Sequence, residues 1–162
     1  HAGTFMYHSH AQDAAEQIDA GLYGPLIVEP QPSAGSPTVF DREYTMLLSA
    51  WNVPPASGDD AMADMPGMEP SPAAAESDES LAMQMDYNYF TINGKAYPAV
   101  PAWEAKAGEL IRVRIMNISN LVHPMHLHGM DFKVVAKDGE SLPPSQQVVM
   151  NNLPVNAGET YD

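Results

Sequence analysis

Apolar residues along this chain fall in short runs, and turn-forming residues cut the runs before any reaches the length of a stable helix. Residues 4–10, Thr-Phe-Met-Tyr-His-Ser-His, suit a strand, and residues 11–20 suit a polar loop or a helical turn. Gly21-Leu-Tyr-Gly-Pro-Leu-Ile-Val-Glu-Pro30 is a glycine-bounded apolar strand that Pro30 ends. After the Gln31–Pro37 stretch, Arg42–Trp51 has the apolar density of an inner strand. Asn93-Gly94 between two strand-like runs, Tyr87–Ile92 and Lys95–Tyr97, predicts a hairpin. In Leu110–Met116, Leu110, Arg112 and Arg114 alternate with Ile111, Val113 and Ile115, the period of a half-buried strand. Further strands are expected at Leu121–Gly129 and at Phe132–Ala136 with a turn at Lys137–Gly139, and edge strands at Val148–Met150 and around Val155. Gly158–Asp162 reads as the lead-in to one more. The pattern predicts an all-β protein.

Composition sharpens this. The 162 residues are 44% hydrophobic, enough for a core, and 15 prolines with 11 glycines favour turns over helices. A formal charge of -14 with only 7 Lys+Arg, none clustered, argues against nucleic acid and against an anionic membrane surface as partners, since both require cationic protein. Zero cysteine excludes disulfides and thiolate ligands within these residues. Residues 57–86 differ in kind. They hold eight acids, no Lys or Arg and five of the 11 methionines, the composition of an insertion that cannot bury enough surface to offset its ordering entropy. Met62, Met65 and Met68 recur every third residue there, and soft thioethers suit Cu(I), although methionine is also a common filler.

Five of the six histidines sit in two clusters, Tyr7-His8-Ser-His10 and His123-Pro-Met-His126-Leu-His128-Gly. On a strand His8 and His10 share a face with Cα atoms about 7 Å apart, close enough to straddle neighbouring metals. Alone, that spacing is more often an exposed edge strand. His126 and His128 likewise share a face, with Leu127 expected toward the core, and Pro124 is expected to interrupt the ladder so that His123 diverges. Imidazole suits zinc, copper, iron or nickel, so residue type alone leaves the metal open. His1 has no comparable partner and reads as a turn residue.

The second cluster resembles the His-Pro-x-His-Leu-His-Gly signature of multicopper oxidases. Gly3-Thr-Phe-Met-Tyr-His-Ser-His10, followed by Gly21-Leu-Tyr-Gly-Pro-Leu-Ile-Val, resembles the same family's first-domain motif. The resemblance implies a cupredoxin-like Greek-key β-sandwich: residues 1–30 as the C-terminal part of a first cupredoxin domain, 31–37 as a linker, and 38–162 as a truncated second domain carrying the insertion 57–86. It implies copper as cofactor. His8 and His10 would bind the type 3 pair, His126 the type 2 copper, His128 the type 3 pair, and His123 the type 1 copper. The family's opening His-x-His-Gly and closing His-Cys-His-x-x-x-His motifs are not among these residues, so the chain is expected to be an inactive fragment holding half of each site.

Ser9 stands where a first-domain blue site would need a cysteine, which weakens a copper nitrite reductase reading. His123 follows His10 by only 113 positions, which resembles two-domain enzymes that assemble as homotrimers with the trinuclear cluster between subunits. The activity implied is one-electron oxidation of a phenol, an aromatic amine or Cu(I), coupled to reduction of dioxygen to water. The insertion occupies the position of the methionine-rich segment of bacterial cuprous oxidases, which makes Met62, Met65 and Met68 candidate Cu(I) docking residues. A non-catalytic cupredoxin-like copper-binding or structural protein is the alternative. A periplasmic or secreted location follows from the resemblance only.

Overall fold

The computed structural model describes residues 1–31, 39–53 and 87–162. The linker expected at 31–37, apart from Gln31, and the insertion 57–86 with Met62, Met65 and Met68 lie outside the described residues. The rest is built from strands: β1 (Gly3–His8), β2 (Tyr23–Val28), β3 (Arg42–Trp51), β4 (Tyr89–Ile92), β5 (Ile111–Asn117), β6 (His123–His126), β7 (Phe132–Val134), β8 (Ala136–Lys137), β9 (Glu140–Ser141), β10 (Val148–Met150), β11 (Asn152–Val155) and β12 (Thr160–Tyr161). The polar stretch after His10 forms one short helix, α1 (Ala14–Asp19). Among the described residues no helix is long and apolar enough to cross a membrane.

Six strands form one sheet in the order β4-β3-β5-β12-β8-β9, with β3 and β5 parallel. β1 and β2 make an antiparallel hairpin, and β6 pairs with β11 and β7 with β10. Successive side chains of a strand point to opposite faces, so β5 divides the molecule. Its Ile115 packs with Val134, Leu153, Val155 and Tyr161, the core between the sheet and the β6, β7, β10 and β11 layer. Its Met116, fully buried, packs with Leu47 and Ile118 against Met6, Ile18 and Tyr23 of the β1–α1–β2 unit. Val155, expected at an edge, is also fully buried.

The half-buried strand expected at β5 is instead covered on both faces. Arg112 and Arg114 point at the β1–β2 hairpin, where acidic partners replace water. The Arg114 side chain, 3% exposed, donates to Thr4 Oγ1 at 2.7 Å, Glu29 Oε1 at 2.9 Å, Asp162 Oδ2 at 3.2 Å and Glu43 Oε2 at 3.2 Å. Arg112 pairs with Glu43 and lies over the Phe40 ring, 4.7 Å from its centroid. Alternation alone cannot distinguish a solvated arginine face from one neutralised by another segment.

Glycine decides how closely the hairpin seats. A Cβ on Gly3 would lie 2.3 Å from the Gly139 carbonyl oxygen, and one on Gly139, whose φ is 80°, would lie 2.0 Å from the Phe5 ring. The Asn93-Gly94 turn forms with positive φ at both residues, as the pair demands. The expected second arm does not: beyond a single bridge between Ile92 and Lys95 no strand follows. The Asn93 side chain turns to β3 instead, accepting from Leu47 N at 2.9 Å and donating to the Thr45 carbonyl at 2.7 Å.

Candidate metal centre

The strand expected to carry both His8 and His10 ends at His8, and the chain bends at Ala11. The Ser9 hydroxyl holds the bend, donating to Gln17 Oε1 of α1 at 2.5 Å and accepting from Ala11 N at 3.2 Å. The two imidazoles still meet, stacked with centroids 4.5 Å apart and planes 28° apart. His8 also lines a shallow cavity of about 250 Å³ with Phe5, Met6, Asp138, Gly158 and Thr160.

The second cluster departs from expectation in two ways. Pro124 does not interrupt pairing. Leu127 N donates to the Asn151 carbonyl at 3.0 Å, which makes Met125–Leu153 and His123–Val155 the bonded pairs and sets Pro124 opposite Pro154 at unbonded positions. A proline there forfeits no ladder hydrogen bond. His123 diverges because it lies an odd number of residues from His126, on the opposite face of β6. Second, the strand stops at His126, and Leu127 is 42% exposed rather than in the core. His128 lies in the turn before Gly129, whose φ is 83°. The His126 and His128 rings meet edge-on with centroids 4.9 Å apart.

Hydrogen bonds set which ring nitrogens are open. A carbonyl oxygen only accepts, so the contacts of His126 Nδ1 with the Asn151 carbonyl at 2.6 Å and of His8 Nδ1 with the Ser9 carbonyl at 3.0 Å place the proton on Nδ1 of each neutral ring. Nε2 keeps its lone pair, the form in which histidine binds a metal. His123 is held through the other nitrogen, with Nε2 2.7 Å from Ser119 Oγ, and its ring stands edge-on to Phe90 at 6.4 Å. Burial pushes the His123 pKa below its usual value, favouring the neutral ring. Ser119, Asn117 and the Asn151 carbonyl were not singled out in the sequence. The one available signal was a polar Asn-x-Ser just after an apolar strand and four residues before a motif histidine. His1, expected as a turn residue, pairs with Glu140 at 3.0 Å and meets the Phe5 ring edge-on.

The donor set fits a metal with nitrogen ligation, in halves. The structure supplies two imidazole pairs and one separate imidazole. Among the described residues no group of three or more His, Cys, Asp or Glu side chains converges on one point. A pair leaves a tetrahedral ion two ligands short.

The comparisons with known proteins point the same way. A family model described as multicopper oxidase matches residues 69–160, and a second model of that description matches residues 1–33. The copper resistance protein A homolog of Pseudomonas syringae pv. tomato is 27% identical over 99% of this chain and 31% of its own length. A probable nitrite reductase-hydroxylamine oxidoreductase fusion protein of Kuenenia stuttgartiensis is 30% identical over 78% of this chain and 13% of its own. Among solved structures, the blue copper oxidase from Nitrosomonas europaea superimposes with a TM-score of 0.72 at 29% identity, covering 100% of this chain and 45% of that one. The chain thus spans about a third or less of these two curated relatives. With its motif histidines on strand ends and turns of a cupredoxin-like β-sandwich and a family model across more than half its residues, the chain belongs to the multicopper oxidase family.

Proposed function

We propose that this chain is part of a copper-dependent oxidase in which His8, His10, His126 and His128 contribute to a trinuclear copper cluster and His123 to a separate type 1 copper. The observation that carries this reading is the preset of His8 and His126: backbone carbonyls occupy Nδ1 of both rings and leave Nε2 open, each beside a second imidazole of the same motif. Copper held by these imidazoles would supply one-electron redox chemistry, the kind that couples single-electron oxidation of a reductant to the reduction of dioxygen, with protons from solvent, to water. The chain's own contribution is orientation. The segment after β1, tied to α1 through the Ser9 hydroxyl, and the turn at Gly129 hold each second imidazole beside the first, and β6 sends His123 to the opposite face. Rings fixed before the metal arrives lose little freedom on binding it.

The two pairs require complementary ligands. In our reading these come from further residues of the same protein and from a neighbouring subunit of a homotrimer, with 1–30 belonging to a first cupredoxin domain and 38–162 to a second. The family models meeting 1–33 and 69–160 separately support that division. The reductant is a phenol, an aromatic amine or Cu(I), and the compartment is periplasmic or secreted. The copper resistance protein among the relatives supports copper handling.

The test uses the full-length protein. Metal analysis should find several copper ions per subunit with a blue absorbance band, and oxygen uptake should follow addition of a phenol or Cu(I). His126→Ala should abolish oxygen uptake while leaving the blue band. A wild-type protein that stays colourless and copper-free after exposure to copper sinks the proposal.

A further inference from the structure

We propose that Ser119, held by the buried Asn117, is a positioning residue that fixes His123 in the tautomer protonated at Nε2. This rests on the assignment of His123 as a copper ligand, and adds the residues that set its tautomer.

Asn117 closes β5 and is fully buried. Its side-chain nitrogen lies 2.7 Å from the Leu121 carbonyl and 2.9 Å from that of Val155, and carbonyls only accept, so this end is the NH₂. Its oxygen therefore faces Ser119, where it accepts from Ser119 N at 3.0 Å and from the Ser119 hydroxyl at 2.8 Å. The hydroxyl faces two groups that only accept, Asn117 Oδ1 at 2.8 Å and the Leu121 carbonyl at 3.3 Å, and with its single proton given to the nearer one Ser119 Oγ is left to accept. Leu121 N donates to it at 3.2 Å, and His123 Nε2, 2.7 Å away, must donate as well. A neutral imidazole protonated at Nε2 carries its lone pair on Nδ1. The tautomer of His123 is thus the reverse of that of His8 and His126, and it is set by side chains where theirs are set by backbone.

The experiment has two arms. In the first, ¹⁵N-histidine NMR of the metal-free 162-residue chain, at a pH where the ring is neutral, reads the protonated nitrogen of His123, with His123→Gln assigning the signal. Wild type should show protonated Nε2, S119A a mixture of tautomers or protonated Nδ1, and S119T, which keeps the hydroxyl, should restore the wild-type pattern. Protonated Nδ1 in wild type overturns the proposal whether or not S119A folds, and so does an unchanged tautomer in a folded S119A. In the second arm, competition with a chelator in the full-length enzyme should show S119A losing type 1 copper at about tenfold lower chelator or less, with S119T near wild type. Equal retention in S119A and wild type overturns the positioning role. Absence of copper from wild type overturns the oxidase reading instead, and the tautomer measurement still decides what Ser119 does.

Discussion

Replacing Arg114 by methionine keeps most of the side chain's apolar stem and removes the charge that ties the β1–β2 hairpin to the main sheet. Four partners each lose one donor, Thr4, Glu29, Glu43 and Asp162, although Glu43 keeps Arg112 and Asp162 keeps the Thr4 hydroxyl. Their exposure sets the cost. The Glu29 and Glu43 side chains are 60% and 39% exposed and rehydrate, whereas Asp162 is 7% exposed and Thr4 is buried. Removing one partner of a buried ion pair costs about 3–5 kcal/mol, and because only one of the three carboxylates is trapped, the loss should fall near the lower bound, about 3 kcal/mol. With an m-value of about 2 kcal/mol per molar, the urea midpoint should drop by about 1.5 M. Asp162→Asn alone leaves Arg114 paired with the two glutamates and should cost about 1.5 kcal/mol. The double variant has no trapped carboxylate and should cost about 2 kcal/mol, well short of the sum. Urea titrations of the four proteins followed by circular dichroism close the cycle. If the single losses add to within about 0.5 kcal/mol, or if R114M costs less than about 1 kcal/mol, Asp162 is not a trapped carboxylate that depends on Arg114.

Other outcomes follow from the same packing. Met116→Ala empties a fully buried position between the sheet and the β1–α1–β2 unit and should cost about 3 kcal/mol in the same assay. Gly139→Ala places a methyl group 2.0 Å from the Phe5 ring at a φ of 80°, so the hairpin must lift from its seat; faster proteolysis within residues 1–31, with the remainder folded, is the expected signature. Burial pushes the Glu159 carboxyl up, but hydrogen bonds from Lys137, Asn156 and Tyr161 outweigh it and hold the pKa at about 2. A depressed pKa contributes stability that is fully present above the unfolded value of 4.5 and is lost as pH falls toward 2. The contribution is about 3 kcal/mol before screening, and about 1 kcal/mol once the 42% exposure of Lys137 is considered. Glu159→Gln should therefore lose about 1 kcal/mol at pH 7 and show a shallower decline in stability from pH 4.5 to 2, read by urea titrations across that range.

Much of this molecule is written locally. Short apolar runs broken by glycine and proline give strands because neither long helices nor long loops suit them, and β2, β3, β5, β7 and β10 lie where the pattern puts them. The histidine pairs are legible for the same reason: ligands close in sequence stay close in space, so His8 with His10 and His126 with His128 meet even though their strands end sooner than alternation suggests. What the sequence could not decide is which groups from distant segments arrive opposite each residue. Arg114 reads as solvent-facing until Glu29 and Asp162 are folded onto it. Pro124 reads as a break until its opposite number proves to be Pro154. The open nitrogen of His123 depends on Asn117, whose amide is turned by carbonyls of Leu121 and Val155. Burial, register and proton placement depend on segments as far apart as Thr4 and Asp162, and only the assembled sheet brings these together.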